Sequence, residues 1–214
     1  MAKLVLVIAK SGTGKSSSMR NLTADEAAVV LCSGKDLPFR HDLKTMVPTN
    51  GYPDVIKIIA GSSKPMIIID DANYLMSFEE MNRVNESGYG KFTQMAANMF
   101  SVFKAILDKD SDQIFYVMAH QAEPDEKGDE QLRFKTTGKM LSEKVVLEGL
   151  SNMIITSEMV DGDFVFRVKT DGKGVKTPLG MFDEPTIPND LKLVDEAIRK
   201  FYAPLPAKKK EVKK

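Results

Sequence analysis

The sequence predicts an α/β protein: a mainly parallel central sheet flanked by helices, closed by a late β-hairpin and a C-terminal helix. Three observations carry this. Short apolar, branched runs alternate with stretches of helical spacing, a glycine-rich turn follows the first run, and the third run ends in two aspartates. Strands buried on both faces read as continuous apolar runs, and strand–helix alternation favours a parallel sheet.

The elements follow in order. Lys3 to Ala9, KLVLVIA, reads as a buried strand broken by SGTG. Lys15 to Leu22 reads as a helix, and AAVVLC at 27–32 as a second strand. Residues 33–53 hold three prolines and two glycines and read as an irregular excursion, followed by a short helix from Asp54 to Ala60. MIIID at 66–70 is the third strand, with a helix starting in 73–82 and a loop, NESGYG, at 85–90. Phe92, Met95, Ala96, Met99, Phe100, Phe103 and Leu107 share one helical face within 91–107. Gln113 to Ala119 is a fourth strand, and 121–131 a polar loop. Apolar structure recurs at 145–150 and 153–156. Residues 161–174 read as a hairpin with a DG at each end, and 190–202 as an amphipathic helix.

Ala9 to Ser16, AKSGTGKS, matches the phosphate-loop (Walker A) pattern G-x-x-x-x-G-K-[ST] except at its first position, where alanine replaces glycine. Gly12 and Gly14 permit a loop whose amides point at phosphate oxygens. Lys15 is placed to reach the β- and γ-phosphates, and the Ser16 hydroxyl to ligate Mg²⁺. Ser11, Thr13 and Ser17 complete the candidate nucleotide-binding set, and the expected helix adds its positive N-terminal end. Alanine fits the first position if its φ is negative.

MIIIDD at 66–71 is the matching Walker B element, a buried strand carrying a carboxylate to the edge of the sheet. Asp70 is the candidate Mg²⁺ ligand. Asp71 is the candidate to orient or deprotonate an attacking water. His120 and Gln121, at the end of the fourth strand, are candidates to touch the γ-phosphate.

Composition narrows the classes. The formal net charge is zero, yet Lys208 to Lys214 carry five lysines and one glutamate. The other 207 residues hold 25 basic and 29 acidic groups, so a mildly acidic body bears a basic tail. A uniformly basic nucleic-acid coat is excluded, a local patch is not. No apolar run is long enough to cross a bilayer, no secretory cleavage pattern follows the N-terminus, and Cys32 stands alone, so a cytoplasmic protein is expected. Six scattered arginines argue against a nucleotide kinase, which needs several to hold two phosphate chains. No NKxD segment supports a GTPase.

Beyond the fourth strand, Arg133, Lys135, Lys139 and Lys144 with Phe134 make 133–149 locally basic. Lys139 or Arg133 is a candidate finger for a neighbouring subunit's ATP site. The same segment is a candidate for single-stranded nucleic acid, through phosphate contacts and stacking, and a solvated turn is the plain alternative. The 85–91 loop is a candidate nucleic-acid or substrate loop or a plain flexible connection, and the tail a candidate for nucleic-acid phosphates or an acidic protein or a disordered solubilising tail.

The segments VIAKSGTGKSSSMRNL, IIIDDANYLM, the long helix before YVMAHQ, and KTTGKMLSEKVVLEGL resemble phage-encoded ATP-binding proteins often described as AAA-family ATPases, with a RecA-like P-loop NTPase core. The resemblance spans about residues 3–158 and implies nucleotide roles for Lys15, Ser16 and Asp70. It further implies an Mg²⁺-dependent ATPase acting in phage DNA recombination, single-strand annealing or replication, in the host cytoplasm. The partners it suggests are ATP, single-stranded DNA, a single-strand-binding protein and further copies of the chain. The expected organisation is one domain over 1–203 and a flexible basic tail at 204–214. The competing reading is a low-turnover ATP-dependent switch acting on a protein partner.

Overall fold

The computed structural model describes residues 2–124 and 131–204. β1 (Lys3–Ala9) leads into a single 3-10 turn (Ser16–Met19), then β2 (Ala27–Leu31) and a short β3 (Lys44–Met46). α1 (Tyr52–Gly61), β4 (Met66–Asp70), α2 (Asn73–Asn82), α3 (Gly90–Leu107) and β5 (Ile114–His120) follow. A π-helical segment (Met140–Val145) and α4 (Leu147–Leu150) precede β6 (Met153–Val160), β7 (Asp163–Arg167), β8 (Thr186–Pro188) and α5 (Leu191–Tyr202).

Among the described residues these strands form one sheet in the order β3-β2-β4-β5-β1-β6-β7-β8. The first six are mutually parallel, and β7 and β8 extend the sheet antiparallel. Alternate side chains feed two cores. Leu4, Leu6 and Ile8 of β1, with Ile67 and Ile69 of β4, pack under α1, α2 and α3. Val5 and Val7, with Met66 and Ile68, pack under Met19, Leu22 and α5. The expected α/β class with a mostly parallel, helix-flanked sheet is what the structure has.

Three expectations are corrected. The helix read over Lys15 to Leu22 is only the one 3-10 turn. Three consecutive serines are poor helix formers because their hydroxyls compete for backbone groups; Ser18 Oγ donates to Lys15 O at 2.6 Å. Glu26 then closes the next turn by accepting from the Thr23 amide at 2.9 Å. The helix-dipole contribution expected there is correspondingly reduced to one turn. The hairpin is not contained in 161–174. It joins β6 to β7 through Asp161 (φ 51°) and Gly162 (φ 91°), a two-residue turn with both φ positive, the geometry that matches strand twist. The second DG, Asp171–Gly172, opens a loop whose Lys176 pairs with Ile154. Finally, β3 is a short edge strand inside the excursion read as irregular.

The 205–214 part of the basic tail and residues 125–130 lie outside the described residues. No helix among the described residues is long and apolar enough to cross a membrane.

Phe103 of α3 is fully buried and meets the Phe134 ring edge-on at 6.0 Å. Phe103→Ala should lower unfolding free energy by about 3–5 kcal/mol, read from urea denaturation followed by circular dichroism.

Candidate nucleotide and metal site

β1, β4 and β5 end side by side, so the loop after β1, the aspartates after β4 and His120 share one edge of the sheet. Gly12 (φ 78°) and Gly14 (φ 93°) turn the loop in backbone regions that L side chains avoid. Gly14 also lies against β7: a Cβ there would sit 2.8 Å from Phe164 Cγ. Ala9 is buried and has no positive φ, so alanine satisfies the geometry where the motif has glycine. Thr13 Oγ1 donates to Lys10 O at 2.9 Å, and Thr13 O accepts the Ser157 hydroxyl from β6. Ser11 and Gly12 are exposed at the tip, and Ser17 is half-buried in the 3-10 turn.

Lys15 is only 6% exposed. Its ammonium donates to Ala9 O at 3.1 Å and Lys10 O at 2.9 Å. Burial pulls its pKa down, while the charges of Asp71 and Asp70 oppose that. Ser16 Oγ donates to Asp70 Oδ2 at 2.9 Å. Asp70 is 4% exposed, and its second oxygen, Oδ1, is buried with no hydrogen-bond partner among the described residues. Burial, and then the neighbouring Asp71, push the Asp70 pKa up to about 6, against the Ser16 bond and Lys15.

This donor set fits Mg²⁺. A hard cation takes oxygen ligands, and Mg²⁺ is held by one or two protein groups with phosphate and water supplying the rest. Ser16 Oγ and Asp70 are two such oxygens side by side, and Asp70 Oδ1 is an orphaned buried acceptor. Among the described residues no cluster of three or more His, Cys, Asp or Glu offers an all-protein cage.

Asp71 is held with φ 54°, and its carbonyl accepts from the Tyr74 amide at 2.9 Å. Its Oδ1 lies 3.5 Å from His120 Nε2. Burial, and then Lys15, lower the His120 pKa while Asp71 opposes them, which favours the neutral imidazole. The His120 amide donates to Asn73 Oδ1 at 3.1 Å, and Tyr74 packs edge-on against the ring at 5.9 Å. Gln121, the other candidate at this strand end, donates its amide to Ala9 O at 3.1 Å.

Lys139 is not brought to this cluster. Its side chain is 86% exposed and pairs with Glu143 at 3.6 Å. Phe134 is 2% exposed, packed against Phe103, and its amide donates to Glu148 Oε1 at 2.6 Å. The stacking role considered for it is therefore corrected: an apolar residue in a basic stretch belongs to the core. Sequence reasoning missed Asn73, Ser157 and Phe164. Asn73, directly after the aspartates, was the one with a positional signal; the other two meet the loop only through strand pairing 144 or more residues away. Comparison with protein-family models and with curated proteins returns no match to the chain.

An Asp whose folded pKa is raised from about 3.9 binds more protons folded than unfolded across pH 4–6. Its contribution therefore weakens metal-free protein as pH rises through that window and is level above it. Asp70→Asn should abolish that fall and gain up to about 3 kcal/mol at pH 7, measured by urea unfolding at each pH. Added Mg²⁺ should stabilise the parent more than the variant.

Proposed function

We propose that the chain is a Mg²⁺-dependent ATPase with a RecA-like P-loop core, hydrolysing ATP to ADP and phosphate. The observation that carries this reading is the Ser16–Asp70 hydrogen bond at the mouth of the Lys15 loop, with Asp70 Oδ1 beside it unpartnered among the described residues. Ser16 and Asp70 meet from segments 54 residues apart, and the Lys15 ammonium lies in the same loop on the carbonyls of Ala9 and Lys10, which supports reading a phosphate loop beside an acidic strand end.

In this mechanism the loop amides and Lys15 hold the phosphate chain and oppose its growing charge. Ser16 and Asp70 would hold Mg²⁺, which when bound would neutralise charge on the phosphate. Asp71 receives the proton of the attacking water or positions that water in line. His120, 3.5 Å from the Asp71 carboxylate, is the side chain placed to orient it. Lys15 enters the reaction from carbonyl contacts within its own loop.

The biological setting, phage DNA recombination, annealing or replication, rests on the sequence resemblance, as do assembly into an oligomer and contact with a single-strand-binding protein. Two features support a DNA contact. Tyr89, on the loop before α3, is 90% exposed and is available for stacking; Lys139 is exposed for phosphate or for a neighbouring copy's site.

Lys15→Ala should cut ATP turnover at least about a hundredfold in purified, folded protein; unchanged turnover would overturn the reading. Single-stranded DNA should alter the rate or the native mass, with an effect that fades as salt rises. Tight ATP binding with partner capture and negligible hydrolysis would instead favour the switch.

A further inference from the structure

Residues 133–135 run antiparallel to the end of β5. The Ala122 amide donates to Arg133 O at 2.8 Å, the Lys135 amide donates to His120 O at 3.0 Å, and Gln121 bridges Phe134. That register sets Lys135 directly opposite His120. Opposed residues on antiparallel strands point to one face, with their Cβ atoms about 5 Å apart. Phe134 holds the arrangement in place: its ring is buried against Phe103, and its amide donates to Glu148 Oε1 at 2.6 Å. Neighbours in an extended segment point to opposite faces. Seating Phe134 in the core therefore turns Lys135 away from it, to the side of His120.

Lys135 is exposed, and its ammonium makes no ion pair among the described residues. Its charge nevertheless reaches the imidazole. Burial first, then Lys15, and after them Lys135 and Lys35 lower the His120 pKa, while Asp71 raises it. Three lysines thus converge on a ring whose Nε2 lies 3.5 Å from Asp71 Oδ1. Lys15 is held on the carbonyls of Ala9 and Lys10, and Lys35 follows β2, on the other side of β4. Lys135 is the lysine delivered by pairing with β5 itself. An ammonium on a flexible four-carbon stem, set beside the carboxylate that directs water, is placed to meet a phosphoryl group there.

We propose that Lys135 is a catalytic residue of the chain's own site, donating to a γ-phosphoryl oxygen as the transferred group develops charge. The inference rests on the ATPase reading above and extends it. In the step, the water oxygen bonds to the γ-phosphorus while that phosphorus parts from the oxygen bridging it to the β-phosphate. The bonding electrons leave with ADP, and one water proton goes to Asp71. Lys135 keeps its protons and opposes the charge on the peripheral oxygens. Arg133 and Lys139, the candidates in this segment for a neighbouring copy's site, are placed differently. Arg133 stands opposite Ala122, further along the register, and Lys139 pairs with Glu143.

The test is steady-state ATP hydrolysis in Mg²⁺ by the full chain, by Lys135→Ala and by Lys135→Arg, with ADP binding measured for each. Lys135→Ala should lower kcat at least about tenfold and change KM less than about threefold. Its ADP affinity should be unchanged, since ADP lacks the γ-phosphate, and Lys135→Arg should restore much of the rate. Mixing Lys135→Ala with Lys15→Ala should recover no activity. Recovery in the mixture would show one copy's Lys135 serving another's site and would overturn the assignment to the chain's own site. Equal kcat for the parent and Lys135→Ala would also overturn it, while leaving the ATPase reading intact. ADP binding lost in step with the rate would mark Lys135 as structural and overturn it too. Absence of turnover in the parent would overturn the ATPase reading, and the assignment with it.

Discussion

The position of β5 between β1 and β4 is the constraint on which the candidate site depends. β5 runs in register with β1, pairing Ala9 with His120, and with β4, pairing Ile69 with Val117. A slip of one residue would turn every side chain of a strand to the other face. Because both faces of these strands are buried, such a slip would have to repack two close-packed cores at once. The same packing that excludes water from the strands thus delivers the start of the loop, a carboxylate and an imidazole to one edge. The chemistry at that edge is a by-product of core alternation.

That arrangement carries an electrostatic cost. Asp70 and Asp71 are adjacent, and Asp70 is buried, so its charged form is disfavoured. Lys15 is buried among backbone carbonyls and its charge is disfavoured as well. Each group partly offsets the other, yet among the described residues one carboxylate oxygen stays unpaired. Stored electrostatic discomfort of this kind is common where a site is arranged for a ligand that is itself charged. The mildly acidic body noted from composition includes this pair, so net charge reflects the site as well as the surface.

Much of this was legible in the sequence. The four principal strands announced themselves as branched apolar runs, and their ends were correct to within a residue. The loop residues were singled out by motif spacing and Asp70 by its place at the end of an apolar strand, and the structure brings Ser16 and Asp70 into contact. The short 3-10 turn was not legible. The apolar Met19 and Leu22 suggest a helical face, and only the serine run and early return to β2 forbid it. Phe134 was misread because charge on its neighbours concealed its burial. Ser157 and Asn189 could not have been found, since their meaning lies in contacts with Thr13 and with each other across the antiparallel wing.

The motif fixes Gly14 and leaves the position of Gly12 open, and the two loop glycines are tied to the fold in different ways. Gly12 has nothing within 4 Å of where a side chain would begin; only its φ demands glycine. Gly14 needs glycine twice, for its φ and for the aromatic ring of β7 pressed against it. A lesion at Gly12 is therefore confined to the loop's own shape, whereas one at Gly14 also displaces the hairpin. Loss of function at the second position reports on two structures at once. The hairpin is in this sense part of the loop's definition, although more than 140 residues separate them.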